Sequence, residues 1–291
     1  PRDMVRWLSR GLAAARVASD RAELWFPGAL VSFAAAGWLV LLLTIAPDPD
    51  AAGAAGLGMQ LMANPWWPWN LVVLGVAIVC GLATILLAVA FGEVTLMMGL
   101  SDPARAGTPP TVPRAMAVLT VAAVPAVAAA LILGSLAAPG AVDAVLGADP
   151  ATPLSARLLE ATWPYLLALA VVVVLVQAVG SASLRRPGWQ GLTAARRGGN
   201  RLIPQAAVTF AAFIGAQALT GGMIGTLWHP LAGRLADGGL AQPTTIILLL
   251  GFVWIWLVLV IVCGVVQAWT SAWWEAELGA GSRAESMEDA P

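Results

Sequence analysis

Lysine is absent from this chain of 291 residues, and charged residues of any kind are scarce. Only 11% of the residues carry a formal charge, whereas 59% are hydrophobic and the mean hydropathy is +0.83. A soluble globular domain is about one quarter charged and less than half apolar. The composition therefore excludes a soluble domain, a disordered chain and a nucleic-acid-binding protein with a basic face. A protein of the membrane remains.

Reactive and metal-binding side chains are scarce as well. The two cysteines, Cys80 and Cys263, lie in apolar runs, where a thiol behaves as a small hydrophobic side chain. The single histidine, His229, lies beside Pro230 with no second ligand near it in the sequence, and nucleotide-binding and nucleophile motifs are absent. The sequence therefore excludes a disulfide-stapled secreted module and predicts no metal, no cofactor and no enzyme activity.

Six apolar stretches are long enough to cross a bilayer. A hydrocarbon core about 30 Å thick needs roughly 20 residues of helix. The sequence thus predicts an all-α, polytopic membrane protein with six transmembrane helices. They are expected near residues 28–46, 70–99, 114–137, 163–184, 204–228 and 245–274.

Arginine is distributed unevenly over the connections between these spans. If the chain crosses the bilayer six times, 13 of the 15 arginines fall on one side, and Arg157 and Arg234 fall on the other. Basic residues accumulate on the cytoplasmic side of membrane proteins. We therefore expect both termini to lie in the cytoplasm.

Two stretches of sequence occur twice. GLAAAR at 11–16 recurs as GLTAAR at 191–196, and PGALVSFAA at 27–35 recurs as PQAAVTFAA at 204–212, with a fainter copy at 113–119. Such self-similarity is typical of repeat architectures. We expect one membrane domain of three tandem two-helix repeats, related by an axis along the membrane normal. The predicted segments are an interfacial arm at 1–26, the repeats at 27–100, 113–184 and 204–275, and a flexible acidic tail at 276–291.

Glu93 is the one carboxylate well inside a predicted span, and Gln177 and Gln267 occupy corresponding positions in the other two repeats. A charge at that depth is costly and suggests a function. The three side chains are therefore candidate ligands for a proton, a cation or a polar headgroup at the inner mouth of a central cavity. The alternative is that they form ordinary hydrogen bonds between helices.

The N-terminal arm carries arginine every fourth residue on one side and apolar residues on another. This pattern is typical of a helix that lies on anionic lipid, although arginines that only fix the topology would look the same. A shorter copy of the arm precedes the fifth span. The candidate headgroup ligands are Arg6, Arg10, Arg16, Arg196, Arg197 and Arg201.

The motif Gly-Leu-x-Ala-Ala-Arg before a span that begins with proline resembles the pattern in the six-helix membrane domain of bacterial glycerophosphodiester phosphodiesterases and related integral membrane families. The resemblance covers the layout of the spans over most of the chain. It implies a multi-pass protein of the bacterial cytoplasmic (inner) membrane. It implies no active-site residue, because the soluble phosphodiesterase domain has no counterpart in these spans.

Two functions follow from these patterns. The first is a non-enzymatic scaffold or accessory subunit that packs, with membrane lipids around it, against another membrane protein or a second copy of itself. The second is a transporter or lipid-handling protein with a polar site near Glu93, Gln177 and Gln267. An intramembrane enzyme is less favoured, because the sequence offers no nucleophile, base or metal ligands for it.

Overall fold

The computed structural model describes residues 2–46, 56, 59–60, 62–101, 111–146, 154–186, 189–236 and 242–288. These residues are almost entirely helical, and none of them forms a strand. Six of their helical segments are long and apolar enough to cross a membrane. The prediction of an all-α chain with six such helices is confirmed, whereas the threefold repeat and the side on which the termini lie stay predictions.

The α-helices of this part of the chain are α1 (Arg2–Asp20), α2 (Trp25–Ser32), α3 (Trp38–Ile45), α4 (Trp69–Leu100), α5 (Val112–Leu146), α6 (Leu154–Arg185), α7 (Trp189–Arg197), α8 (Gly199–Ala236) and α9 (Pro243–Glu288). A 3-10 turn, Ala22–Leu24, joins α1 to α2, and a π-helical turn, Phe33–Gly37, joins α2 to α3. The first candidate span is therefore the composite segment Ala22–Ile45.

Several helices are longer than the apolar stretches that predicted them. The last one continues from the predicted end at residue 274 to Glu288 and has 46 residues. At 1.5 Å per residue it is about 69 Å long, roughly twice the thickness of a hydrocarbon core. Hydropathy marks only the part of a helix that lies in lipid, so the polar extensions were not predicted. The tail residues 289–291 lie outside the described part of the chain.

The contacts divide the chain into two compact units. The first consists of Pro1–Pro49, Trp66–Met116 and Thr209–Pro291, and the second of Asp50–Pro65 and Ala117–Val208. The first unit therefore holds most of the first and third predicted repeats. In the second unit α7 packs against the end of α6, where a β-carbon at Gly191 would lie 2.6 Å from the Cα atom of Ser183.

The core of the first unit is a place where the backbones of three helices touch. A β-carbon at Gly264 of α9 would lie 2.5 Å from the carbonyl oxygen of Trp25, and one at Gly28 would collide with the carbonyl oxygen of Gly264. On α4, a β-carbon at Gly92 would lie 2.5 Å from Val31 Cγ2. Small residues allow such close approach in membranes, where packing replaces the hydrophobic effect between helices.

Replacing Gly264 with alanine is expected to force α2 and α9 apart. Overpacking of this kind costs about 1–3 kcal/mol, so the midpoint of thermal unfolding, followed by circular dichroism in detergent, should fall. Gly251 is the matched control on the same helix, because a β-carbon there would meet no atom within 4 Å. Gly251→Ala should leave the midpoint unchanged or raise it, since alanine favours helix. Equal effects of the two variants would contradict the close contact.

Candidate functional site

Glu93 of α4 lies against α9 and is bonded by two of its side chains. Gln267 Nε2 donates to Glu93 Oε1 at 2.7 Å, and Ser271 Oγ donates to Glu93 Oε2 at 3.3 Å. The two donors are four residues apart and so share one face of α9. Glu93 is only 8% exposed, yet each of its carboxyl oxygens has a donor.

The close backbone contacts hold this carboxyl group in place. Gly92 precedes Glu93 and brings α4 against α2, where Pro27 and Val31 lie. Ala90, Leu96 and Met97, also on the second half of α4, are buried. The acidic side chain is thus enclosed by packed helix, and its partners on α9 take the place of water.

Of the three candidate ligands predicted in corresponding repeat positions, the structure brings two together. Glu93 and Gln267 are hydrogen-bonded, as expected of a shared polar site. Gln177 is half-buried on α6, which belongs to the second unit. A cluster of all three around a central cavity therefore stays a prediction.

The N-terminal arm docks one of its faces onto the end of α9. Arg10 Nη1 lies 2.8 Å from Glu277 Oε2, and the ring centroids of Trp7 and Trp273 are 4.7 Å apart. Trp269 Nε1 donates to the carbonyl oxygen of Gly11 at 2.9 Å. We call this region, where α1 meets residues 268–277 of α9, the α1 dock.

The candidate headgroup ligands have different surroundings in the structure. Arg10 is the residue of the α1 dock that forms an ion pair, with a Glu277 side chain that is only 4% exposed. The side chains of Arg6, Arg16, Arg196 and Arg201 are exposed. The side chain of Arg197 lies outside the described part of the structure.

A second polar network in the first unit was not predicted. Gln217 of α8 donates from Nε2 to Ser32 Oγ at 2.9 Å, and Thr220 Oγ1 lies 3.3 Å from Cys263 Sγ. All four residues are buried, near the middle of three candidate spans. Gln217 was overlooked because the comparison of repeats places Val40, an apolar residue, at the corresponding position. Its position in the middle of an apolar stretch was the available signal.

Comparison with protein families, with curated proteins and with solved structures finds no match to this chain. The resemblance to the phosphodiesterase-associated membrane domain therefore gains no support and stays a prediction. The chemistry of the site has to be inferred from its own residues. Among the described residues no three His, Cys, Asp or Glu side chains lie together. The site offers one carboxyl group, one amide and one hydroxyl.

Removing the Glu93 carboxyl group is expected to destabilise the first unit. In Glu93→Ala the Gln267 amide loses its acceptor in a packed site, and a buried donor left without an acceptor costs about 1–3 kcal/mol. A double-mutant cycle with Gln267→Ala, measured by unfolding in denaturant, should give a coupling energy of about 0.5–3 kcal/mol.

The control for this cycle is Thr95→Ala on the same helix. Thr95 is exposed, and its hydroxyl group bonds only the carbonyl oxygen of Phe91 one turn earlier. This change should cost little and show no coupling to Gln267→Ala. Additive effects of Glu93→Ala and Gln267→Ala would show that the hydrogen bond contributes nothing to stability.

Proposed function

We propose that the chain is a non-enzymatic integral membrane scaffold or accessory subunit that packs against another membrane protein or a second copy of itself. The observation that carries the proposal is the first half of α4. Residues 71–84 are exposed on every side of the helix, whereas the second half has one buried side, which holds the glycine contacts described above. A partner in the membrane would give this half-helix a packing surface.

The composition of the exposed half favours a protein partner in addition to lipid. Ala77, Gly81 and Thr84 follow one another at intervals of four and three residues and share one face. A β-carbon at Gly81 would meet no atom within 4 Å. Glycine inside a helix costs about 0.5–1 kcal/mol relative to alanine. Close approach of a second helix would offset this cost, as Gly28, Gly92 and Gly264 allow within the chain.

The location proposed for this subunit is a bacterial cytoplasmic membrane with both termini in the cytoplasm. The distribution of arginine supports it, since one side of a six-span chain receives 13 of 15. The α1 dock agrees, because it joins the arginine-bearing arm to the end of the last span and so keeps α1 and the end of α9 together.

Replacing Gly81 with leucine is expected to break the assembly while leaving the fold intact. The bulky side chain fills the face formed by Ala77, Gly81 and Thr84, where a β-carbon at position 81 would meet no atom of the described residues within 4 Å. The mass of this protein in each particle, measured by light scattering after gentle extraction into lipid nanodiscs, should fall to that of one 29.9 kDa chain.

Gly75→Leu is the matched control for this experiment. Gly75 also meets no atom within 4 Å, but it lies about 160° around the helix from Ala77. This variant should keep the mass of the unsubstituted assembly. Two results would contradict the proposal. One is that the unsubstituted chain is already monomeric and has no partner. The other is that Gly81→Leu and Gly75→Leu change the mass equally.

A second candidate function, transport or handling of a polar lipid, is favoured by one observation. The partners of the buried Glu93 among the described residues, Gln267 and Ser271, carry no charge. A carboxyl group at that depth without a basic partner suggests a function, as a candidate ligand for a proton, a cation or a polar headgroup. Against this function stands the contact of Gly28 with Gly264, which leaves no room for a substrate between α2 and α9.

Transport through this site predicts that Glu93→Gln abolishes the pH dependence of uptake or lipid binding in vesicles. Glutamine keeps the size of the side chain but has no ionisable group. Gln217→Leu, which changes the other polar network, should leave the pH dependence in place. Identical pH profiles for the unsubstituted chain and Glu93→Gln would reject the second function.

A further inference from the structure

Helix α1 has two different faces, of which one packs against other described residues and the other is exposed. The docked face contains Trp7, Gly11, Ala14 and Ala18. About 120° around the helix from this face lies an apolar strip, defined by Val5, Leu8 and Leu12, which are exposed by 64%, 51% and 68%. At 100° per residue these three side chains fall within a sector of about 60°. Because the α1 dock fixes the other face, the direction of the strip is fixed too.

The α1 dock also sets the level at which this strip lies. Trp269 and Trp273, at the end of the last candidate span, make the contacts to α1. Tryptophan side chains prefer the headgroup region of a bilayer. At the other end of α1, Trp25 Nε1 donates to the carbonyl oxygen of Ala18 at 2.7 Å, and the first candidate span begins at Ala22. Helix α1 is thus attached at both ends to residues of the headgroup level.

Two exposed arginines lie next to the apolar strip. Arg6 follows Val5, Arg16 lies one turn after Leu12, and both side chains are exposed. Neither has an acidic partner among the described residues, whereas Arg10 is paired with Glu277. An apolar strip at headgroup level, flanked on one side by Arg16 and then Arg6, matches an anionic lipid surface.

We infer that α1 is a binding site for anionic phospholipid, in which Arg6 and Arg16 bind the headgroup phosphates and Val5, Leu8 and Leu12 enter the upper acyl region. Arg10 has a different role, since its guanidinium group holds α1 on α9. The inference goes beyond the proposed scaffold function, because it names a lipid class and a surface that the face of α4 does not include.

The test uses the full chain with Cys80→Ala, Cys263→Ala and Leu12→Cys, labelled at position 12 with a bimane fluorophore. The chain is placed in nanodiscs that contain phosphatidylcholine and phosphatidylglycerol, with bromine on the acyl chains of one or the other. Brominated phosphatidylglycerol should quench the label more than its share of the lipid predicts. Phosphatidylglycerol next to the label should be enriched about fivefold for each arginine, and this enrichment should fall as salt is raised.

Two variants of the arginine pair separate charge from folding. Arg6→Gln with Arg16→Gln should lose the preference for the anionic lipid, and Arg6→Lys with Arg16→Lys should keep most of it. Arg234→Gln, which removes an exposed arginine far from α1 in the sequence, should change nothing. All variants should unfold at the same temperature, since the substituted side chains are exposed.

Two results would overturn the inference. If neither brominated lipid quenches the label, the strip does not reach the bilayer and faces water or a protein instead. If both lipids quench it equally, the strip enters lipid without selecting a headgroup. Because the assembly of the chain is measured by particle mass and depends on Gly81, these failures would leave the proposed scaffold function untouched.

Discussion

The backbone contact between α2 and α9 is the constraint on which the first unit depends. Gly28 and Gly264 bring the two helices closer than any side chain would permit, and Gly92 brings α4 against the same point. In lipid, apolar side chains gain nothing by leaving one apolar surface for another, so van der Waals contact and hydrogen bonds have to hold the helices together. Contact at glycine supplies the van der Waals contact and places the groups that form the hydrogen bonds.

The polar pair and the α1 dock lie close to this contact in the sequence. Glu93 follows Gly92, and Gln267 lies three residues after Gly264, so the close approach of the backbones places carboxyl group and amide within 2.7 Å. Further along α9, Trp269 and Glu277 receive α1. One helix therefore carries the glycine contact, the polar pair and the dock in succession, and a change at Gly264 should affect all three.

Features that depend on a single segment could be predicted from the sequence, and so could one contact between two segments. Six spans followed from apolar length, and a shared site for Glu93 and Gln267 followed from their matching places in the predicted repeats. The bond between Gln217 and Ser32 was missed because Gln217 has no polar counterpart at Val40. The separate role of Arg10 was missed for a different reason: its partner Glu277 is 267 residues away, and no periodicity links the two.

The two halves of α4 support different interpretations of the molecule. The second half, around Gly92 and Glu93, is so closely packed that its polar groups are saturated by their neighbours, which suits a structural role. The first half exposes Ala77 and Gly81, and residues 71–84 are exposed on every side among the residues that the structure describes. A glycine that is covered stabilises its own fold, whereas a glycine that is uncovered costs stability unless something else packs on it. The site to be sought first is therefore on the outside of the helix, where a second protein surface would compensate for that cost.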